Sequence, residues 1–127
     1  MKTYTNPIYP YVRSRDQDAG PARPAVVVVG AGPIGLAVAI DLAQRGVPVV
    51  VLDEDETVSV GSRAICYAKR ALEILDRLGV GQRVVDKGIT WEEGEVYLGD
   101  QPIYRFNLQP EPGHKFPAFV NLQQYYV

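Results

Sequence analysis

The chain reads as an α/β protein whose first half is a strand, helix and strand of the parallel, doubly wound kind. Three observations carry this. Val26, Val27, Val28 and Val29 form an apolar run, Gly30 to Gly35 form a glycine turn, and Val49 to Leu52 form a second β-branched run that ends in Asp53.

Each part answers a physical demand. The valines show no polar alternation, as expected of a strand buried on both faces of a parallel sheet. Gly30 permits a tight turn off that strand, and Gly32 lacks the Cβ that would keep a pyrophosphate from the backbone. Pro33 falls near the first helical position, where its missing N–H is harmless. Gly35, with Ala37 and Ala39 behind it, lets the helix lie close to the strands. The amides of the helix start then face the phosphates.

From Leu36 to Arg45 only Asp41, Gln44 and Arg45 are polar, so a narrow edge is expected to meet water while the rest packs. Gly46 suits the position after the helix, and Pro48 prevents continuation. Asp53 stands 23 positions after Gly30, a spacing that suits a carboxylate accepting from a ribose diol. Turn, helix and terminal acid in this order are the fingerprint of a Rossmann-like dinucleotide site. The fingerprint does not separate FAD from NAD. A carboxylate at Asp53 argues against a 2′-phosphate.

Composition sets outer bounds. The 127 residues make one domain's worth of chain, 46% of it hydrophobic, with a formal charge of −2. That balance gives no electrostatic reason to expect nucleic acid or an anionic membrane as a partner. No apolar run approaches a bilayer span, and no apolar segment before Ala25 reads as a secretory signal, so the expectation is a cytoplasmic protein. The single cysteine, Cys66, excludes an internal disulfide framework.

Four segments are expected: a flexible arm over 1–24, a βαβ unit with following helices over 25–88, the start of an antiparallel sheet over 89–122, and a cut-off helix start over 123–127. The arm carries four prolines with interleaved charges. Glu54 to Ser62 reads as a loop. Ala68, Ala71, Leu72, Leu75 and Leu78 recur at helical spacing, Gly79 ends that helix, and Val80 to Lys87 follows as a short second one. Ile89 and Trp91 begin an extended piece. Val96 to Leu98 and Ile103 to Phe106 flank a turn as two strands, and Phe116 to Leu122 reads as another. Two clear parallel strands are fewer than a doubly wound domain needs, so the chain reads as the beginning of something longer.

Other constellations are weak. His114 is the only histidine and sits in a Pro/Gly loop, which supports neither a His-based triad nor a multi-histidine metal site. Cys66 is expected as a small buried residue. Glu92, Glu93 and Glu95 read as a solvated edge without partner ligands. Tyr125 and Tyr126 read as core or interface residues. Arg63 could fork onto pyrophosphate oxygens or remain a solvated loop charge.

The run from Gly30 to Gly35, Asp53, and Ser62, Arg63, Ala64 through Arg70 to Gly79 together resemble the N-terminal part of FAD-dependent aromatic hydroxylases. These are the group A flavoprotein monooxygenases of the p-hydroxybenzoate hydroxylase type. Phe119 to Val127 resembles the family segment in which a glutamine near the flavin opens a long helix. The wording is closest to the 3-(3-hydroxyphenyl)propionate hydroxylase-like branch, and the resemblance covers roughly residues 25 to 127.

The resemblance implies cofactor-binding roles for Gly30, Ala31, Gly32, Pro33, Ile34 and Gly35 at the FAD pyrophosphate, and for Asp53 with Glu54 at the adenosine ribose. It implies Arg63 on the pyrophosphate side and Gln124, or failing it Gln123, near the ribityl chain and flavin. It also implies NAD(P)H as reductant, O₂ as oxidant, a small aromatic substrate and a homodimer when full length. The resemblance places two further family motifs, a Gly-Asp pair at the ribityl chain and an Asp-Gly pair serving FAD and NAD(P)H, far downstream of this segment, so no catalytic acid or base is assigned and the isolated chain is expected to be inactive.

Two alternatives remain at this stage: a same-fold flavoprotein acting on a lipid-like substrate, and a non-catalytic nucleotide-binding module. An NAD-dependent dehydrogenase would show further βα repeats after Asp53, and a loop, helices and a hairpin follow instead.

Overall fold

The computed structural model describes residues 5–20, 23–59, 64–109 and 111–127. The chain divides into two compact units, 1–61 and 62–127.

In the first unit β1 (Val26–Val29) and β2 (Val49–Leu52) pair in parallel, Val26 opposite Val49 and Val29 opposite Leu52. Parallel pairing requires a crossover, and α1 (Pro33–Gln44) supplies it. Pro33 is the first helical residue and Gly32 the N-cap. The helix ends as its sequence requires, with Gly46 at φ +75° donating its amide to Ala43 O.

Two expectations about burial fail here. Val28 faces α1, but Val27 and Val29 are 46% and 83% exposed, so β1 is covered on one face only. Along α1 only Ala39 is buried, while Ile34, Leu36, Val38 and Ile40 all reach water. Within this unit a two-stranded sheet offers one face to one strip of helix, and the apolar pattern exceeds what two strands can cover. The N-terminal stretch also carries unanticipated structure. Ile8 forms an antiparallel bridge with Thr57, Tyr9 N donates to Glu56 O at 2.7 Å, and Arg15–Gln17 form a 3₁₀ turn.

The second unit centres on β7 (Phe119–Asn121), flanked by β3 (Cys66–Ala68) and β4 (Ile89–Trp91) in antiparallel register. Helices α2 (Lys69–Arg77) and α3 (Gly81–Lys87) pack on one face. The core joins Leu72, Val84, Phe116, Val120 and Leu122, and neither Leu72 nor Val120 retains any exposed surface. Ala68, expected inside the helix, belongs to the strand and pairs with Phe119; it is the residue from which α2 starts. Three residues of strand are too short for a period, so the pairing partner decides their state.

The hairpin forms as expected, with longer arms: β5 (Glu93–Leu98) and β6 (Gln101–Asn107), with an irregularity between Val96 and Tyr97. Its acidic residues are not without partners. Arg105 reaches Glu93 Oε2 at 2.6 Å and Glu95 Oε1 at 3.7 Å from the opposing strand. The last residues, 123–127, expected as a cut-off helix start, form a 3₁₀ turn over Gln124–Tyr126, with Lys87 Nζ 4.5 Å from the Tyr126 ring centre.

Candidate functional site

The glycine turn is held from three sides. Gly30 takes φ +100°, which a side chain would strain, and its amide donates to Leu52 O at 2.7 Å, tying the turn to the end of β2. Gly35 is the third residue of α1, directly against the turn it follows. A Cβ there would lie 1.9 Å from Gly30 O and 3.2 Å from Val28 Cγ1, so only glycine allows this approach of helix to strand. Asp53 closes the third side. Its Oδ2 accepts from the amide of Ala31 at 2.5 Å, and its Oδ1 from the amide of Asp55 at 2.8 Å.

These amides, Ala31 foremost and Glu54 also contributing, hold the Asp53 carboxyl below the usual aspartate range. The acid is therefore an anion at neutral pH, and its oxygens cap the glycine turn. The expected ribose carboxylate is thus also a structural brace.

The turn leaves room on its outer side. Nothing stands within 4 Å of where a Cβ on Gly32 would be. The ladder of α1 begins with Leu36 N donating to Gly32 O at 2.9 Å, so the amides of Ile34 and Gly35 precede it. Open space at a bare backbone, unladdered amides and the positive end of a 12-residue helix suit a pyrophosphate. The residues present fit the ADP part of a dinucleotide.

Gly30, Ala31, Gly32, Pro33, Ile34, Gly35, Asp53 and Glu54 thus converge in the first unit. Gln123 and Gln124 lie in the second, at the start of the final 3₁₀ turn, both half-buried; Gln123 O accepts the Tyr126 amide at 3.0 Å. Arg63 lies outside the described residues.

One polar set escaped the sequence reading. Asn121, on the central strand of the second unit, accepts from Trp91 Nε1 at 2.9 Å and from Cys66 Sγ at 2.8 Å through the same Oδ1. Cys66 is exposed rather than buried, since β3 turns that side chain away from the core. The available signal was Asn121 itself, a poor strand former between valine and leucine.

Comparison with known proteins agrees with this geometry. Residues 23–120 match the family described as FAD binding domain. The chain belongs to the FAD-binding domain family. This FAD-binding domain is 31% identical over 93 residues to a flavin-dependent monooxygenase of Mycobacteroides abscessus, covering 73% of the chain and 20% of that relative. It is 41% identical over 64 residues to para-nitrophenol 4-monooxygenase of a Pseudomonas species, covering 50% of the chain and 16% of the relative. Among solved structures it resembles p-nitrophenol 4-monooxygenase of Pseudomonas putida with a TM-score of 0.69 and 30% identity, over 81% of this chain and 27% of that one. The FAD-binding domain spans between 15% and 20% of the length of the first such relatives.

Among the described residues no helix is long and apolar enough to cross a membrane.

Proposed function

We propose that this chain is the ADP-binding front of a FAD-dependent monooxygenase that hydroxylates small phenolic or aromatic compounds, with NAD(P)H as reductant and O₂ as oxidant. The observation that carries the reading is the turn at Gly30 to Gly35, held by the Ala31 to Asp53 hydrogen bond and closed by the Gly35 contact with Gly30 O.

In this reading Gly30, Ala31, Gly32, Pro33, Ile34 and Gly35 receive the pyrophosphate, and Asp53, followed by Glu54, takes the adenosine ribose. Arg63 completes the pyrophosphate side, and Gln124 or Gln123 serves the ribityl and flavin end. Bound FAD supplies electron transfer and oxygen activation, while the protein binds, orients and excludes water. Support for the aromatic substrate comes from relatives named for para-nitrophenol and pentachlorophenol. A cytoplasmic location and a full-length homodimer belong to the same proposal, as does the narrower likeness to the 3-(3-hydroxyphenyl)propionate branch.

The test is titration of the purified chain with FAD, followed by flavin absorbance and fluorescence, with ADP as competitor. Saturable binding displaced by ADP, without NAD(P)H-dependent ring hydroxylation by the chain alone, is expected. Tight NAD binding with no FAD binding would overturn the reading.

A further inference from the structure

We infer that the N-terminal arm is a clasp on the adenosine end of the cofactor site: residues 6–9 hold the loop that follows Asp53, so that arm docking and cofactor binding strengthen one another. The inference rests on the proposed ADP site and adds to it a segment outside the family match, which begins at residue 23.

The loop needs holding. Asp53, Glu54, Asp55 and Glu56 are four adjacent carboxylates, whose mutual repulsion favours an opened chain. Hydrogen bonds oppose this at both ends. At one end Asp53 Oδ1 accepts the Asp55 amide at 2.8 Å while Oδ2 accepts that of Ala31. At the other, Glu56 O accepts the Tyr9 amide at 2.7 Å, and Thr57 bridges to Ile8. The glycine turn is thus linked through Asp53 and the loop to the arm.

The arm is built for a short contact of this kind. Asn6 and Tyr9 each precede a proline, which biases both to extended backbone, the state that strand pairing requires. Pro7 and Pro10 have no N–H, so the donors of this stretch are Ile8 and Tyr9 and the pairing cannot spread into a longer sheet. Asn6 and Pro7 are half-buried, as are Thr57 and Val58 on the loop side. Beyond Pro10 the chain folds back on itself. Tyr11 Oη and Ser14 N both donate to Gln17 Oε1 at 2.9 Å, and Arg13 Nε pairs with Asp18 Oδ1 at 2.7 Å. These bonds order the arm internally, so it meets the loop as a preformed piece and docking costs less chain entropy.

The consequence is reciprocal. The loop geometry that presents Asp53 to a ribose is the one the arm holds, so whatever factor docking adds to the affinity for the adenosine end, the cofactor adds to docking. One net hydrogen bond, transmitted in part, sets that factor at about three.

The experiment uses the whole ¹⁵N-labelled chain with ADP as the probe. Exchange of the Tyr9 amide with water is expected to slow about threefold at saturating ADP. Tyr9→Pro, which removes the donated N–H, should bind ADP about threefold more weakly, and Tyr9→Leu, which restores it, should recover the parent affinity. A role confined to stability would lower the melting midpoint of Tyr9→Pro and leave Tyr9 exchange indifferent to ADP. That indifference, or parent affinity in Tyr9→Pro, would overturn the inference while the flavin reading stands. Failure of the parent chain to bind ADP would overturn that reading and the clasp with it.

Discussion

The amide of Ala31 donates to the carboxylate of Asp53 across 22 positions of chain, so the acid at the end of one strand holds the turn that follows the other. Replacing Asp53 by Asn removes the charge and one acceptor oxygen together. The expected outcome is loss of FAD affinity by about tenfold or more, from removal of a charge-assisted hydrogen bond. Flavin fluorescence titration checks it, with Asp53→Glu as the shape control.

The same carboxyl gives a pH dependence with a definite sign. Its pKa is depressed in the fold, chiefly by the Ala31 amide and next by that of Asp55. A depressed group contributes stability that is fully present above the unfolded value of about 3.9 and is lost as pH falls through the folded value. Melting temperatures of the parent and of Asp53→Asn should therefore differ by a constant amount near neutrality and converge only in strongly acid solution. A difference that already fades between pH 5 and 7 would contradict the assignment.

Gly35 and Gly32 separate packing from binding. Gly35→Ala puts a methyl 1.9 Å from Gly30 O, so helix and turn must part; a loss of about 1–3 kcal/mol is expected. Gly32 has φ −71° and open space, so Gly32→Ala should leave the denaturation midpoint unchanged and weaken FAD binding alone. Urea unfolding alongside cofactor titration distinguishes the two. Equal destabilisation by both would mean that the space beside Gly32 is filled by the protein.

Leu72 carries the second unit's core with no exposed surface. Leu72→Ala should destabilise it by about 2–5 kcal/mol, through lost burial and the cavity left behind. Limited proteolysis should then cut within 62–127 first, a readout that does not involve FAD.

Trp91 is the only tryptophan, and its indole N–H rests on Asn121 at 2.9 Å. Asn121→Ala leaves that donor and the Cys66 thiol without their shared acceptor. A red-shifted emission maximum and a loss of about 1–3 kcal/mol are expected. Asn121→Asp, which keeps the oxygen, should recover much of the spectral position.

What the sequence by itself determined is the local machinery of the first unit. A glycine at φ +100°, a proline at the first helical position, a glycine where helix meets strand and an acid after β2 are demands made by neighbouring residues on one another. Such short-range demands leave their mark at fixed spacings, as they do for α2, α3 and the hairpin. Tertiary structure alone decided the rest. Ala68 became strand because Phe119 lies opposite it, and Cys66 turned outward to meet Asn121. Lys69 found His114 across 45 positions, and Val27 and Val29 stayed exposed because only one face of β1 is covered within its unit. In each case the deciding partner is distant in the chain or lacking on one face, and no pattern within a few residues can encode it.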